Sequence, residues 1–250
     1  MKKIGLIGGS GLDRPEILAN AKHLTVETPF GAPSSPLTCG TMEGAEIVLI
    51  ARHGHQHIHT PSGVNYRANI HALKEIGCTH ILATTACGSL REEIQRGDLV
   101  ILDQFIDFTH RRMNTFYEAF QPGAENAKHT PMADPFSAEL RNTLIQACRE
   151  LKVRHHEHGT VVTIEGPRFS TRAESNLFRI WGADVVNMSI APEAALANEA
   201  GIPYAAVAMA TDYDCWKTDE APVEWAEILR IFGQNVENVT RLLRTVIPRI

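Results

Sequence analysis

The sequence lacks the features of a membrane protein, a secreted disulfide-rich protein or a nucleic-acid-binding protein. No stretch approaches the roughly 20 apolar residues that a membrane-spanning helix needs. The short apolar run at the N-terminus has neither the length nor the small-residue cleavage site of a signal peptide. The formal net charge is only −5, and no basic face is evident. We therefore expect no nucleic-acid partner and no membrane association.

Cysteine is sparse and is not arranged in pairs. The five cysteines are scattered, odd in number and form no C-x-x-C pair. This pattern is typical of free, buried thiols in a reducing compartment, so it predicts a cytoplasmic protein. Internal repeats, low-complexity tracts and linkers are lacking as well. The 250 residues are therefore predicted to form a single domain over residues 1–250.

Hydrophobic periodicity predicts an α/β protein with a mixed central sheet flanked by helices. A long irregular segment at 109–135 interrupts the pattern and is predicted to be functional or an interface. The predicted strands are 3–7, 23–27, 36–41, 45–51, 79–90, 99–108, 155–164, 183–189 and a buried strand that begins at 203. The predicted helices are 64–75, 137–151, 171–181, 191–200 and 223–244.

The most informative stretch is the last predicted strand, because two carboxylates follow its apolar run. Asp212 and Asp214 stand at positions i and i+2. Ligands of open α/β sheets bind at the carboxyl ends of strands, so we predict that the pair belongs to a small-molecule binding site. The alternative is that one residue caps a helix and the other belongs to a turn.

A glycine-rich turn follows the first predicted strand. Gly8, Gly9 and Gly11 expose backbone N–H groups, and Ser10 adds a hydroxyl, which suits a small anion. The spacing does not match the G-x-G-x-x-G dinucleotide motif, which weighs against a dinucleotide-binding module. A purely structural tight turn and a phosphate site both remain open.

Four histidines alternate in the segment 53–59. On an extended strand His53, His55, His57 and His59 would share one face, as in a metal site. However, no carboxylate or cysteine lies nearby, and the intervening glycine indicates a turn. The pair formed by Arg52 and His53 fits an oxyanion better, because both side chains can donate hydrogen bonds. We expect no metal.

Eight segments together resemble one family, the purine nucleoside phosphorylases of the trimeric class, and within it the methylthioadenosine phosphorylase branch. They occur in the family's order across nearly the whole chain, and their joint occurrence is specific although no single one is. The segments are 7–12 (IGGSGL), 28–31 (TPFG), 51–54 (ARHG), 64–69 (VNYRAN), 84–93 (TTACGSLREE), 103–107 (DQFID), 163–170 (TIEGPRFS) and 209–216 (MATDYDCW).

The resemblance implies a one-domain nucleoside phosphorylase-like fold with a distorted mixed sheet, assembled as a homotrimer or as a hexamer of two trimers. It implies phosphorolysis of S-methyl-5'-thioadenosine to adenine and 5-methylthioribose 1-phosphate, in purine and methionine salvage. Inorganic phosphate is then a co-substrate, and no cofactor is needed. The alternative is a broader purine nucleoside phosphorylase that acts on adenosine or on 6-oxopurine nucleosides. A nucleoside hydrolase, which uses water instead of phosphate, is a further rival.

The resemblance also assigns residues, which we retain as expectations. Met188 contacts the ribose, while Phe169 and Ala86 lie against the base that Asp212 and Asp214 hold. His129 reaches the site of a neighbouring subunit. The phosphate site comprises Ser10, Arg52, His53, Thr85, Ala86 and Ser189. The choice of substrate is linked to Ser170, Trp225, Ile228 and His129.

Chemistry divides the two carboxylates between two tasks. Asp212 is predicted to act as general acid at N7 of the leaving purine, which requires a protonated carboxyl group. Asp214, when ionised, only accepts hydrogen bonds, so it favours a 6-amino group over a 6-oxo group. Trp225 is bulkier than the aliphatic residue expected at its position. The preference for methylthio over hydroxyl at the 5' carbon therefore stays open.

Overall fold

The computed structural model describes residues 2–9, 12, 15–219 and 225–250, without the side chains of 15, 225–230, 232 and 234. The strands are β1 (Lys3–Gly8), β2 (Ala19–Leu24), β3 (Leu37–Met42), β4 (Ala45–Ala51), β5 (His80–Ser89), β6 (Leu99–Ile101), β7 (Gln104–Phe108), β8 (His155–His156), β9 (Thr160–Ile164), β10 (Val185–Asn187) and β11 (Tyr204–Tyr213). The helices are α1 (Tyr66–Glu75), α2 (Ala138–Leu151), α3 (Arg172–Ile180), α4 (Ile190–Glu199) and α5 (Trp225–Val246).

The strands form one mixed sheet that branches at β5. Its main path runs β2-β3-β4-β1-β5-β10-β9-β7, while β11 pairs with β5 and β6, and β6 pairs with β8. One edge of β5 is parallel to β11 along almost its whole length, whereas the other edge is parallel to β1 over its first half and antiparallel to β10 at its last residues. The long central strand therefore changes partner along its length. This distorts the sheet, as predicted, and opens space beside the second half of β5.

Strand β11 explains why the sheet is covered on both faces. Because successive side chains of a strand point to opposite sides, its residues divide between two separate apolar cores. Tyr204, Ala206, Ala208 and Ala210 pack with residues of α1 and α4 in one core. Ala205, Val207 and Met209 pack with residues of α2 and α5 in the other. The fold class, a mixed sheet between helices, is confirmed.

The predicted helices agree with the structure to within about three residues. Side chains cap the starts of α2 and α3. The side chain of Ser137 accepts a hydrogen bond from the backbone N–H of Leu140 at the start of α2. Thr171 and Glu174 form a capping box at the start of α3. None of the described helices combines the length and the apolar character that crossing a membrane requires.

Three strand predictions were wrong in their bounds. The strand predicted at 23–27 is β2, which lies at Ala19–Leu24, because its partner β3 begins at Leu37 opposite Leu24 and offers nothing beyond it. The strand predicted at 99–108 divides into β6 and β7, which pair with different neighbours. The strand predicted at 155–164 likewise divides into β8, which pairs with β6, and β9, which pairs with β7, on either side of Gly159.

Candidate active site

A cavity of about 500 Å³ opens where several strands end. It lies beyond β1, β4, β10 and β11 and along the second half of β5. Its volume is in the range of small-molecule sites. The described residues that line it are Gly9, Arg52, His53, His57, Ile58, His59, Thr60, Pro61, Thr85, Ala86, Cys87, Gly88, Ile164, Pro167, Phe169, Ser170, Val186, Asn187, Met188, Ser189, Thr211, Asp212 and Asp214.

Arg52 is held in place by a buried ion pair at one end of the cavity. The Nε and Nη2 groups of Arg52 donate to the carboxylate of Glu193 on α4, and its Nη1 donates to the Thr84 carbonyl at 2.8 Å. The hydroxyl of Tyr204 donates to Glu193 Oε2 at 2.9 Å. Arginine has five N–H donors, so each terminal nitrogen retains one hydrogen for a ligand. The absence of a side chain on Gly9 leaves room for this guanidinium.

His53, the next residue, is neutral in these surroundings. Burial lowers its pKa from the ordinary value to about 3, and the positive charge of Arg52 acts in the same direction. Its Nδ1 lies 3.0 Å from the carbonyl oxygen of His59. Its ring stacks on that of His57 with a centroid distance of 4.3 Å.

A chain of buried polar groups holds the two hydroxyls of the same region. Asn187 accepts a hydrogen bond from Thr163 at 2.8 Å and donates one to Thr85 Oγ1 at 3.2 Å. Ser189 Oγ lies 3.5 Å from Thr85 Oγ1. Ser189 is the residue before α4, but its hydroxyl does not cap that helix, so it is available to a ligand beside the positive end of the helix dipole.

A β-bulge directs Asp212 into the opposite end of the cavity. Ala210 stands opposite Cys87 and Asp212 opposite Gly88, so Thr211 is an extra residue in β11. The Thr211 hydroxyl lies 2.7 Å from Asp212 Oδ1. A side chain on Gly88 would come within 3.2 Å of Asp212 Oδ2. Asp212 is 9% exposed and therefore has little contact with water.

Asp214 is also buried, and its surroundings differ. Burial raises its pKa, while the nearby Ser175 hydroxyl and the Cys215 backbone N–H lower it by less. The Ser170 and Ser175 hydroxyls lie close enough to Asp214 to lower its pKa, yet neither hydroxyl oxygen nor Asp214 Oδ2 makes a hydrogen bond of ordinary geometry among the described residues. A buried carboxylate oxygen without a partner is costly, so this end of the cavity suits a ligand that carries hydrogen-bond donors.

The wall between the two ends is fastened by an arginine from the long irregular segment. Arg112 donates to the carbonyls of Met188 and Glu165, and its guanidinium lies over the ring of Tyr66. Gly166 backs directly onto the Met188 side chain, since a Cβ there would lie 2.5 Å from the sulfur. Arg112 therefore joins the segment 109–135 to the wall formed by Met188.

The structure brings most of the predicted site residues together. Those that line the cavity are Arg52, His53, Thr85, Ala86, Phe169, Ser170, Met188, Ser189, Asp212 and Asp214. His129 does not line it; its exposed ring contacts Phe120. Ser10 lies outside the described residues, as do the side chains of Trp225 and Ile228.

The histidine segment is a turn and not an extended strand. Residues His55–His57 form a short 3-10 helix with positive φ at Gln56 and His57. The four histidines therefore do not share one strand face; His53, His57 and His59 line the cavity, whereas His55 does not. In the described part of the chain, no group of three or more His, Cys, Asp or Glu side chains is placed to hold a metal ion.

Sequence reasoning missed Glu193, Tyr204, Arg112 and Ser175. Glu193 stands in an alanine-rich predicted helix, and a carboxylate among such small apolar residues is the only sequence signal of a buried charged group. Arg112 lies in an irregular segment without periodicity, and Tyr204 reads as an ordinary strand residue. No local signal indicates which buried partner any of them meets.

Comparisons with known proteins agree with this geometry. The family model described as the phosphorylase superfamily matches residues 3–248. S-methyl-5'-thioadenosine phosphorylase of Xenopus tropicalis is 54% identical over 249 residues, covering 99% of this chain and 89% of that protein. The Drosophila melanogaster protein of the same name is 51% identical over 248 residues, covering 99% and 86%.

Solved structures of the same family share the fold of this chain. Methylthioadenosine phosphorylase from Schistosoma mansoni, in complex with adenine, superposes with a TM-score of 0.93 at 43% identity, covering 100% of this chain and 92% of that one. A mutant of adenosine/methylthioadenosine phosphorylase from the same organism, in complex with methylthioadenosine, has a TM-score of 0.91 at 42% identity, covering 100% and 91%.

Proposed function

This chain belongs to the phosphorylase superfamily and is a pentosyltransferase of the purine nucleoside phosphorylase type; from that premise we propose that its substrate is S-methyl-5'-thioadenosine. Phosphate attacks the anomeric carbon of the ribose, the N-glycosidic bond to N9 breaks, and adenine and 5-methylthioribose 1-phosphate leave. The products would return to purine and methionine salvage. Phosphate is a co-substrate, and we propose no cofactor.

One observation carries the proposal: a single cavity has two chemically opposite ends. Arg52, Thr85 and Ser189 supply donors at the end that suits an anion. At the other end Asp212 and Asp214 are buried carboxyl groups, and Asp214 Oδ2 has no partner among the described residues. A nucleoside placed between them directs its base toward the carboxyls and its anomeric carbon toward the phosphate.

The catalytic demand of this reaction fits those two ends. The transition state resembles an oxocarbenium ion, so the sugar is cationic when the glycosidic bond is nearly broken. A phosphate dianion held beneath it stabilises that charge and is already placed for attack. We assign the phosphate cradle to Arg52, His53, Thr85, Ser189 and the backbone at Ala86, together with Ser10.

The leaving base needs a proton, and we assign its delivery to Asp212. The carboxyl group donates at N7 as the electrons of the C–N bond move into the purine, which makes neutral adenine the leaving group. Hydrogen phosphate loses its one proton when it becomes the sugar phosphate dianion, and free adenine has one proton more than the adenine group of the nucleoside. The overall reaction therefore balances without net proton uptake, and Asp212 can be reprotonated after each turnover.

We assign recognition of the 6-amino group to Asp214. Its unpartnered oxygen accepts a hydrogen bond from an exocyclic N–H, whereas a 6-oxo group would place two acceptors against each other. The raised pKa of Asp214 supports one alternative role, the recognition of a 6-oxo base. A protonated carboxyl group could donate a hydrogen bond to the 6-oxo oxygen. Inosine cleavage that grows as the pH falls would support that alternative.

Adenosine is the second candidate substrate, since one similar structure is of an adenosine/methylthioadenosine phosphorylase. The two substrates differ only at the 5' position. We propose that Ser170, Trp225, Ile228 and, from a neighbouring subunit, His129 set the preference there. Met188 and Phe169 would contact the ribose and the base.

The test is a phosphorolysis assay with methylthioadenosine, adenosine and inosine, each with and without phosphate. We expect phosphate-dependent release of adenine, with methylthioadenosine giving the highest kcat/KM and inosine the lowest. Inosine as the best substrate would overturn the role of Asp214. Release of base at the same rate without phosphate would make the protein a hydrolase.

We also propose a homotrimer, with a hexamer of two trimers as the alternative, and a cytoplasmic location. The support for assembly is the segment 109–135, which exposes Met113, Tyr117 and Phe120 and carries His129. Such exposed apolar groups are typical of interaction surfaces. The support for location is that all five cysteines are free, as expected in a reducing compartment.

A further inference from the structure

The hydrogen bond between His53 and His59 determines which nitrogen of the His53 ring is left for a ligand. A carbonyl oxygen can only accept, so His53 Nδ1, 3.0 Å from the oxygen of His59, carries the hydrogen and donates it. In a neutral imidazole the other nitrogen then has a lone pair and no hydrogen. His53 lines the cavity, and Nε2 is the ring nitrogen that the His59 carbonyl does not engage, so Nε2 is the nitrogen that can accept a hydrogen bond from a ligand.

The neighbours of His53 keep it neutral. Arg52 precedes it at the end of β4, Arg112 approaches from the segment 109–135, and His57 stacks on its ring. All three disfavour a second proton on the ring, as does burial. Glu193 on α4 does not reverse this, because its carboxylate is bound by Arg52 and the Tyr204 hydroxyl. No carboxylate is among the groups that raise the pKa of His53.

The phosphate cradle therefore carries less positive charge than its residue types suggest. The charge of Arg52 is balanced by Glu193 inside the protein, and His53 adds none. Most of the cradle consists of N–H and O–H donors, but one position is an acceptor. An oxyanion without hydrogen would place a negative oxygen against the lone pair of His53, which is repulsive.

We propose that His53 selects a protonated oxyanion, with Nε2 accepting the one hydrogen of the hydrogen phosphate dianion. This rests on the proposed function, in which phosphate occupies this end of the cavity. The recognition concerns the P–OH group: phosphate and arsenate carry such a hydrogen at neutral pH, and sulfate does not. His53 is then a specificity residue for the co-substrate that holds the phosphate in one orientation.

Calorimetric titration of the wild-type protein with phosphate, arsenate and sulfate tests the proposal at about pH 8, where phosphate and sulfate are both mainly dianions. Phosphate and arsenate should bind similarly. Sulfate should bind roughly tenfold to a hundredfold more weakly, which is the effect of one buried polar group left without a proper partner. Sulfate binding as tight as phosphate would overturn the proposal.

His53→Ala removes the acceptor, so the ratio of the sulfate and phosphate dissociation constants should fall toward one. His57→Ala is the matched control: it removes a stacked imidazole from the same cavity and should leave the ratio near the wild-type value. A ratio that is unchanged in His53→Ala, or that collapses equally in His57→Ala, would assign the selectivity elsewhere.

The tautomer can be read independently by ¹⁵N NMR of histidine-labelled protein, with His53→Ala identifying the signal. We expect a hydrogen on Nδ1 and none on Nε2, both with and without phosphate. A hydrogen found on Nε2 would make His53 a donor and refute the proposal. Neither measurement depends on turnover. A protein without phosphorolytic activity would therefore refute the proposed function, and the role of His53 in anion selection would still be tested.

Discussion

Asp212 and Asp214 are the same residue type two positions apart, yet their surroundings differ. Asp212 has a hydroxyl at 2.7 Å from one oxygen and the bare backbone of Gly88 beside the other. Asp214 is buried with an oxygen that no described group satisfies. Local environment, more than residue identity, divides titratable pairs into separate roles.

Asp212→Asn should lower kcat by roughly 10²–10⁴-fold, the usual contribution of a general acid. The amide keeps the shape of the side chain but supplies no acidic proton. The KM for methylthioadenosine should change little, because the lost interaction belongs to the transition state. Steady-state kinetics checks this, and a variant in which only KM rises would show that Asp212 merely binds.

Asp214→Asn should weaken adenine-nucleoside turnover and stabilise the fold. Burial raises the pKa of Asp214, so its ionisation carries a folding cost that is complete above the raised pKa and shrinks to nothing as the pH falls from that value to the ordinary one. The neutral amide avoids this cost. Chemical denaturation should therefore show a larger unfolding free energy for the variant near neutral pH, with the gap closing in acid. A gap independent of pH would assign the effect to another cause.

His53 should make the protein acid-sensitive. Its folded pKa of about 3 lies below the ordinary value of 6.5, so the unfolded chain binds the extra proton first. The contribution of His53 is complete above the ordinary value and is lost as the pH falls toward the folded one. In His53→Gln the unfolding free energy should fall less steeply with acid, by up to about 1.4 kcal/mol per pH unit in that interval. Parallel curves for both proteins would contradict the assignment.

At the scale of elements, the site depends on contacts between segments distant in sequence. Arg52 follows β4, Glu193 belongs to α4, and Tyr204 begins β11. Their network ties α4 and β11 to the anion-binding end of the cavity, and both side chains of the ion pair are almost completely buried. A pair of this kind is hardly stabilising in itself, but it is very sensitive to loss of one partner.

Glu193→Gln should destabilise the protein by about 3–5 kcal/mol, because the buried charge of Arg52 loses its counter-charge. In the folded fraction the KM for phosphate should rise more than the KM for the nucleoside, since Arg52 loses its orientation. Tyr204→Phe is the milder control, which removes one hydrogen bond to Glu193 and should cost about 1 kcal/mol. Equal increases in both KM values would indicate general damage instead of a positioning role.

At the scale of the whole molecule, assembly is the decisive question. Because His129 is exposed and does not line the cavity of its own chain, its proposed role needs a neighbouring subunit. Light scattering should give about three times the chain mass of 27.6 kDa, or six times for the hexamer. A monomer that retains full activity would remove His129 from the site.

The sequence alone determined the fold class, most helices and ten residues of the cavity. These features have local signals. Helical periodicity and caps are properties of short segments, and Asp212, Asp214, Arg52 and His53 stand where apolar strands end. The resemblance of eight segments then placed Thr85, Ser189, Met188 and Phe169 in the same site, because their motifs are distinctive.

Only the tertiary structure decided which groups face one another. One continuous apolar run became β6 and β7 because its halves found different neighbours, and periodicity does not record partners. Glu193 balances Arg52 across 141 positions, and the carbonyl of His59 leaves His53 an acceptor where its residue type suggested a donor. Charge, tautomer and hydrogen-bond direction depend on three-dimensional neighbours, so they follow from packing and not from the order of residues along the chain.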